Sequence, residues 1–78
     1  MSNRGVVNLP FIRGMRIEKD ISTAEMSIQL GYEGYQAYYY KERGIRKMSA
    51  EDIARIAAIL NVPIGKLFFE NVITESVI

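Results

Sequence analysis

Cysteine and histidine are both absent from this 78-residue chain. Without cysteine, the chain forms no disulfide and offers no thiolate as a zinc ligand or nucleophile. Without histidine, it lacks the side chain that most often serves as a general base near neutral pH. The adjacent acids Glu51 and Asp52 fall in the first turn of a predicted helix, where they complement the helix dipole. We therefore expect no enzyme, no metal site and no cofactor.

Long apolar runs are also absent, since no stretch approaches the roughly 20 residues that cross a bilayer. The N-terminus lacks the charged-then-apolar order of a signal peptide, so we expect a cytoplasmic chain with no membrane partner. Nothing suggests a second domain for a small-molecule ligand. The composition, 49% hydrophobic and 24% charged, is typical of a single folded domain.

Charge is nearly balanced, with a formal net charge of +1. Its distribution is uneven, because the stretch from 41 to 47 holds four basic residues and only one acid, Glu42. Such a segment is either a solvated basic loop or part of a surface that binds a polyanion.

The first half of the chain predicts two helices. One runs from Leu9 to about Lys19, with Asn8 as its N-cap and a proline in its first turn. The second runs from about Thr23 to Leu30. Ser22 and Glu25 before and within it have the spacing of a capping box, and a glycine at 31 can end it in a left-handed conformation.

The second half predicts three more helices. A tyrosine-rich segment from Tyr35 to Arg43 ends before a glycine; its aromatic content would also suit a strand, but its length and its glycine-bounded neighbours favour a helix. Ser49 begins the fourth helix, whose apolar residues at 53, 56, 57 and 60 share one face. Pro63 begins a short fifth helix. The prediction is an all-α domain of five helices over residues 9–70, with an N-terminal arm at 1–8 and a tail at 71–78 that forms a strand, a dimer contact or no fixed structure.

Two short helices joined by a glycine-containing turn, supported by three others, are typical of a helix-turn-helix domain. Three segments carry a more specific likeness: RIEKDISTAEMSIQLG (16–31), ERG (42–44) and RKMSAEDIARIAAILNVPIGKLF (46–68). In this order, they make residues 12–68 resemble the Cro/C1-type (XRE-like) helix-turn-helix regulators, which share the lambda-repressor-like fold.

This resemblance implies roles for individual residues. Arg16 and Glu42 match a salt bridge that ties the first helix to the end of the third. The third helix would enter the major groove of double-stranded DNA, where a glutamine can pair with adenine through two hydrogen bonds. The predicted base contacts are Tyr35, Gln36, Tyr39 and Tyr40. The predicted phosphate contacts are Ser22 and Thr23 at the start of the second helix and, from the basic cluster, Lys41, Arg43, Arg46 and Lys47.

The sequence departs from the family pattern in three places. Between Gly31 and Gly44 it has one residue more than usual, so two registers of the third helix are open. Counted back from Gly44, Tyr38 lies in the core and Lys41 takes a normally apolar place; counted forward from Gly31, residues 37 and 40 lie in the core. The common serine cap is replaced by Gly34 or Glu33, and Thr23 replaces a common glutamine.

Two functions follow as expectations. The first is a homodimeric repressor that binds a roughly palindromic operator. The basic cluster at 41–47 and Gln36 favour this function. The alternative is a protein-interaction module with the same fold, such as an antitoxin or anti-repressor. It would use the tyrosine face to bind another protein. The low net charge and Glu33, which would repel a phosphate, favour this alternative.

Overall fold

The computed structural model describes residues 6–69. In this range the chain forms four α-helices and one 3-10 helix: α1 (Leu9–Glu18), α2 (Thr23–Gln29), α3 (Ala37–Glu42), α4 (Ala50–Leu60) and the 3-10 helix (Ile64–Leu67). The predicted all-α class is confirmed, although the predicted fifth helix is a 3-10 helix. None of these helices has the length and apolar character needed to cross a lipid bilayer.

Side-chain caps fix where α1 and α2 begin. The Asn8 side chain accepts a hydrogen bond from the Phe11 amide at 3.1 Å. At α2, the Glu25 amide donates to the Ser22 hydroxyl at 3.0 Å, and the Ser22 amide donates to the Glu25 carboxylate at 2.9 Å. This reciprocal arrangement satisfies two backbone donors that the helix itself leaves unpaired. Gly31 follows α2 with a φ of 81°, as a left-handed helix end requires.

The long amphipathic helix α4 is built in the same way. Ser49 and Asp52 form a second capping box at its start, and Asn61 ends it in the left-handed conformation with a φ of 61°. The predicted apolar face is buried: Ile53, Ile56, Ala57 and Leu60 are all at most 5% exposed.

One hydrophobic core joins the five elements. The face of α4 packs with buried side chains from each of the others, namely Ile12, Met26, Leu30, Tyr38 and Leu67. Burial of a large apolar side chain contributes about 1.5–3 kcal/mol, so this small cluster supplies the main stabilising term of the domain. Within it α2 packs on α3, which places the two halves of the helix-turn-helix against each other.

The two ends of the described chain pair side by side. Val7 and Phe68 form an antiparallel bridge, with the Asn8 amide donating to the Leu67 carbonyl at 2.8 Å and the Phe69 amide donating to the Val6 carbonyl at 2.9 Å. Residues 6–8 of the predicted arm are therefore packed on the domain. Residues 1–5 and the predicted tail at 71–78 lie outside the described residues.

Candidate nucleic-acid interface

The third helix begins two residues later than the sequence predicts. Tyr35 and Gln36 lie in the turn before α3, and Gln36 makes no side-chain cap. The cap comes from α2 instead: the buried Ser27 hydroxyl accepts from the Tyr38 amide and donates to the Tyr35 carbonyl, both at 3.0 Å. Because one hydroxyl serves both groups, α2 sets where α3 starts.

The register of α3 is the one counted back from Gly44. Tyr38 is fully buried, whereas Tyr40 is only partly buried. The Tyr38 hydroxyl donates to the Glu42 carboxylate at 2.8 Å. Burial, followed by this hydrogen bond to a carboxylate, raises the pKa of Tyr38 far above its ordinary value. Tyr38 therefore stays a neutral donor and holds the turn of α3 that ends at Glu42.

The predicted ion pair between Arg16 and Glu42 is present. The Arg16 Nε and Nη2 atoms donate to the two carboxylate oxygens at 2.8 and 3.1 Å, and its Nη1 donates to the Ile21 carbonyl at 2.7 Å. The hydrogen bond to Glu42 raises the pKa of Arg16. A bidentate pair of this kind fixes orientation as well as distance. It ties α1 to the C-terminal end of α3.

Lys41 lies in a different environment from the phosphate contact predicted from the basic cluster. Its ammonium group donates to Asp52 at 2.6 Å and to the Tyr32 hydroxyl at 3.3 Å, and lies 4.5 Å from the Tyr32 ring centre. Tyr32 itself donates to Asp52 at 2.5 Å. The Lys41 side chain is only 20% exposed. Lys41 can occupy a helix position that is normally apolar because Asp52 provides a partner for its charge. Its ammonium group is therefore engaged within the domain, and Lys41 is not among the proposed DNA contacts.

The pKa values in this cluster follow from the same contacts. Burial alone would raise the pKa of Asp52, but the hydrogen bonds from Lys41, Tyr32 and Ser49 lower it from 3.8 to about 2. Burial likewise opposes the charge on Lys41, yet its bonds to Asp52 and Tyr32 raise its pKa. Burial, then the bond to Asp52, raises the pKa of Tyr32. The cluster is a charged cross-link between α3 and α4.

The opposite side of α3 is exposed, aromatic and basic. Tyr35 is 70% exposed and Tyr39 is 38% exposed. The Arg43 guanidinium lies 5.3 Å from the Tyr39 ring centre, and the Tyr39 and Tyr40 rings meet edge to face at 5.7 Å. We refer to Tyr35, Gln36, Tyr39, Tyr40 and Arg43 as the α3 surface.

A shallow depression of about 360 Å³ brings part of the α3 surface next to the start of α2. It is lined by Arg13, Arg16, Ser22, Thr23, Tyr39, Glu42 and Arg43. The two hydroxyl residues predicted to contact phosphate thus lie beside Tyr39 and Arg43. Arg13 is a further residue that sequence reasoning missed; its spacing of three from Arg16, on the same helix, was the available signal.

The remaining predicted phosphate contacts follow α3. The Arg46 guanidinium lies 6.0 Å from the Tyr40 ring centre, and Lys47 is exposed beside it. Both border a groove of about 580 Å³ whose other lining residues are largely apolar. Arg46 and Lys47 therefore extend the positive charge beyond the end of α3.

Comparison with protein families agrees with this geometry. The model of the Cro/C1-type HTH DNA-binding domain matches residues 12–68, well over half of the chain. The chain belongs to this Cro/C1-type helix-turn-helix family. No curated protein and no solved structure matches it. In this Cro/C1-type domain α2 and α3 are the two helices of the motif.

Proposed function

We propose that this Cro/C1-type domain is a sequence-specific transcriptional repressor that inserts α3 into the major groove of its operator. The observation that carries the proposal is the exposed α3 surface, on which Tyr35 is 70% and Tyr39 38% exposed. The groove is about 12 Å wide and accepts one helix. Because Arg16 and Glu42 anchor the end of α3, the domain would present this surface in one orientation.

The proposed contacts divide into two groups. Tyr35, Gln36 and Tyr39 reach base edges, since a glutamine amide can hydrogen-bond a base and a tyrosine can contact a thymine methyl group. The fourth predicted base contact, Tyr40, lies beside them and bonds Gln36. The phosphate contacts are Ser22, Thr23, Arg43, Arg46 and Lys47, with Arg13 added. Phosphate contacts set the position of the protein on the duplex, and base contacts select the sequence.

We further propose that the protein acts as a homodimer in the cytoplasm. One short helix reads few base pairs, whereas a two-fold symmetric pair reads a palindrome and doubles the readout. The exposed apolar side chains of Val6, Ile64 and Phe69 favour a contact near the paired chain ends: Val6 is 48% exposed, Ile64 49% and Phe69 36%.

Selection from a random duplex library at two salt concentrations tests the proposal. A DNA reader should enrich one palindromic motif, and its affinity should fall as salt rises, because each neutralised phosphate releases counterions. Arg43→Ala should weaken binding. Arg55→Ala is the matched control, because Arg55 lies on α4 and pairs with Glu51 at 2.8 Å. Flat enrichment would refute the repressor proposal and favour the protein-interaction alternative.

A further inference from the structure

We propose that Tyr40 is a positioning residue that orients the side-chain amide of Gln36, so that Gln36 presents its N–H donors and favours guanine over adenine at one operator position. The inference rests on the proposed function, since it concerns how the α3 surface reads DNA. It names a base preference that DNA binding by itself does not imply.

The two side chains are already in contact in the free protein. The Tyr40 hydroxyl donates to the Gln36 Oε1 atom at 3.1 Å. Gln36 is exposed in the turn before α3, and Tyr40 follows four residues later, one helical turn away on the same side. The Tyr40 hydroxyl is the hydrogen-bond partner that the described residues offer to the Gln36 amide.

Tyr40 is held in place from three directions. Its ring meets the Tyr39 ring edge to face at a centroid distance of 5.7 Å, and the Arg46 guanidinium lies 6.0 Å from its ring centre. Its carbonyl accepts from the amides of Ile45 and Arg46 at 2.9 and 3.2 Å, where the chain leaves α3. Gln36 lacks comparable support. The hydrogen bond to Tyr40 therefore restricts the orientation of the exposed Gln36 amide.

The orientation determines which base edge the amide complements. Adenine presents an acceptor and a donor in the major groove, so a glutamine pairs with it through both its oxygen and its nitrogen. In the structure the Tyr40 hydroxyl occupies one of the two acceptor positions of Oε1. The other position remains for the adenine N6 donor, so a pair with adenine must share the oxygen with the Tyr40 hydroxyl, whereas the NH₂ group keeps both of its donors free. Guanine presents two acceptors, N7 and O6, and is the purine that suits a group offering donors.

Removal of the Tyr40 hydroxyl tests this directly. In duplex selections, the wild-type protein should prefer guanine at one position in each half-site. Tyr40→Phe should raise the adenine-to-guanine ratio there by about fivefold or more, the lower end of what a bidentate pair discriminates. Gln36→Ala should abolish the preference. Arg55→Ala is the control: Arg55 lies on α4 outside the α3 surface, pairs with Glu51, and its removal should leave that position unchanged.

The double variant separates positioning from direct reading. If Tyr40 acts through Gln36, adding Tyr40→Phe to Gln36→Ala should change nothing at that position. An equal shift in both backgrounds would overturn the inference, because Tyr40 would then read the base itself. A wild-type motif whose guanine preference survives Tyr40→Phe would also overturn it while leaving the proposed function intact. If the wild-type protein selects no motif, both proposals fail.

Discussion

Acid should remove the stabilisation that Asp52 provides in the cross-link between α3 and α4. The pKa of Asp52 is about 2 in the folded domain and 3.8 without its partners. A group whose pKa is lowered by folding stabilises the fold above the unfolded value and loses that contribution as the pH falls toward the folded value. At about 1.36 kcal/mol per pH unit, the contribution is about 2 kcal/mol, lost between about pH 4 and pH 2. The Asp52 side chain is only 11% exposed, so solvent screening removes little of it.

Urea unfolding of the wild-type protein and of Asp52→Asn, followed by circular dichroism over this pH range, measures the effect. The difference in unfolding free energy between the two proteins should shrink by about 2 kcal/mol from about pH 5 to pH 2. Other carboxylates titrate in both proteins, so the difference isolates Asp52. Glu51→Gln is the control, because that side chain is 71% exposed and its surface pair with Arg55 should contribute little to stability. A difference that stays constant with pH would refute the reasoning.

Three further predictions concern the cap, the interface and the dimer. Ser27→Ala should lower the unfolding free energy by about 1–3 kcal/mol in urea titrations, because the buried Tyr38 amide loses its acceptor; an unchanged midpoint would contradict the role of Ser27 as a cap. Arg43→Ala should reduce the slope of log affinity against log salt by about one, measured by fluorescence anisotropy on specific and random duplexes alike, and an unchanged slope would exclude a phosphate contact. Ile64→Glu should shift the protein to a monomer in sedimentation equilibrium and make its melting temperature independent of protein concentration, since Ile64 is 49% exposed and available for a contact; a persistent dimer would place the contact elsewhere.

Local signals predicted most of the fold. Ser22 with Glu25 and Ser49 with Asp52 mark the starts of α2 and α4, and the structure contains both capping boxes. Such caps involve residues three apart, so their effect can be read from a short window of sequence. The apolar face of α4 follows from helical periodicity in the same way.

The start of α3 and the environment of Lys41 could not be predicted because their causes are not local. The cap of α3 comes from Ser27, eleven residues before Tyr38. The partner of Lys41 is Asp52, also eleven residues away, whose spacing from Ser49 already indicated a different role. In both cases a polar side chain performs two tasks, and a pattern along the chain reveals only one of them.

The ion pair between Arg16 and Glu42 was predictable only through the family resemblance, since nothing in their separation along the chain relates them. Its presence also decides the register of α3, because only the count from Gly44 places Glu42 opposite Arg16 and Tyr38 in the core. This contact between α1 and α3 thus fixes the register of α3, which helical periodicity alone left open.

The bridge between Val7 and Phe68 has a consequence for the order in which the domain assembles. It closes a loop that contains nearly the whole described chain, and the entropy lost on closing a loop grows with its length. The helical pairs close much shorter loops and can form earlier. We therefore expect the amides of Asn8 and Phe69 to acquire protection from hydrogen exchange last during refolding, and to lose it first when the native domain opens.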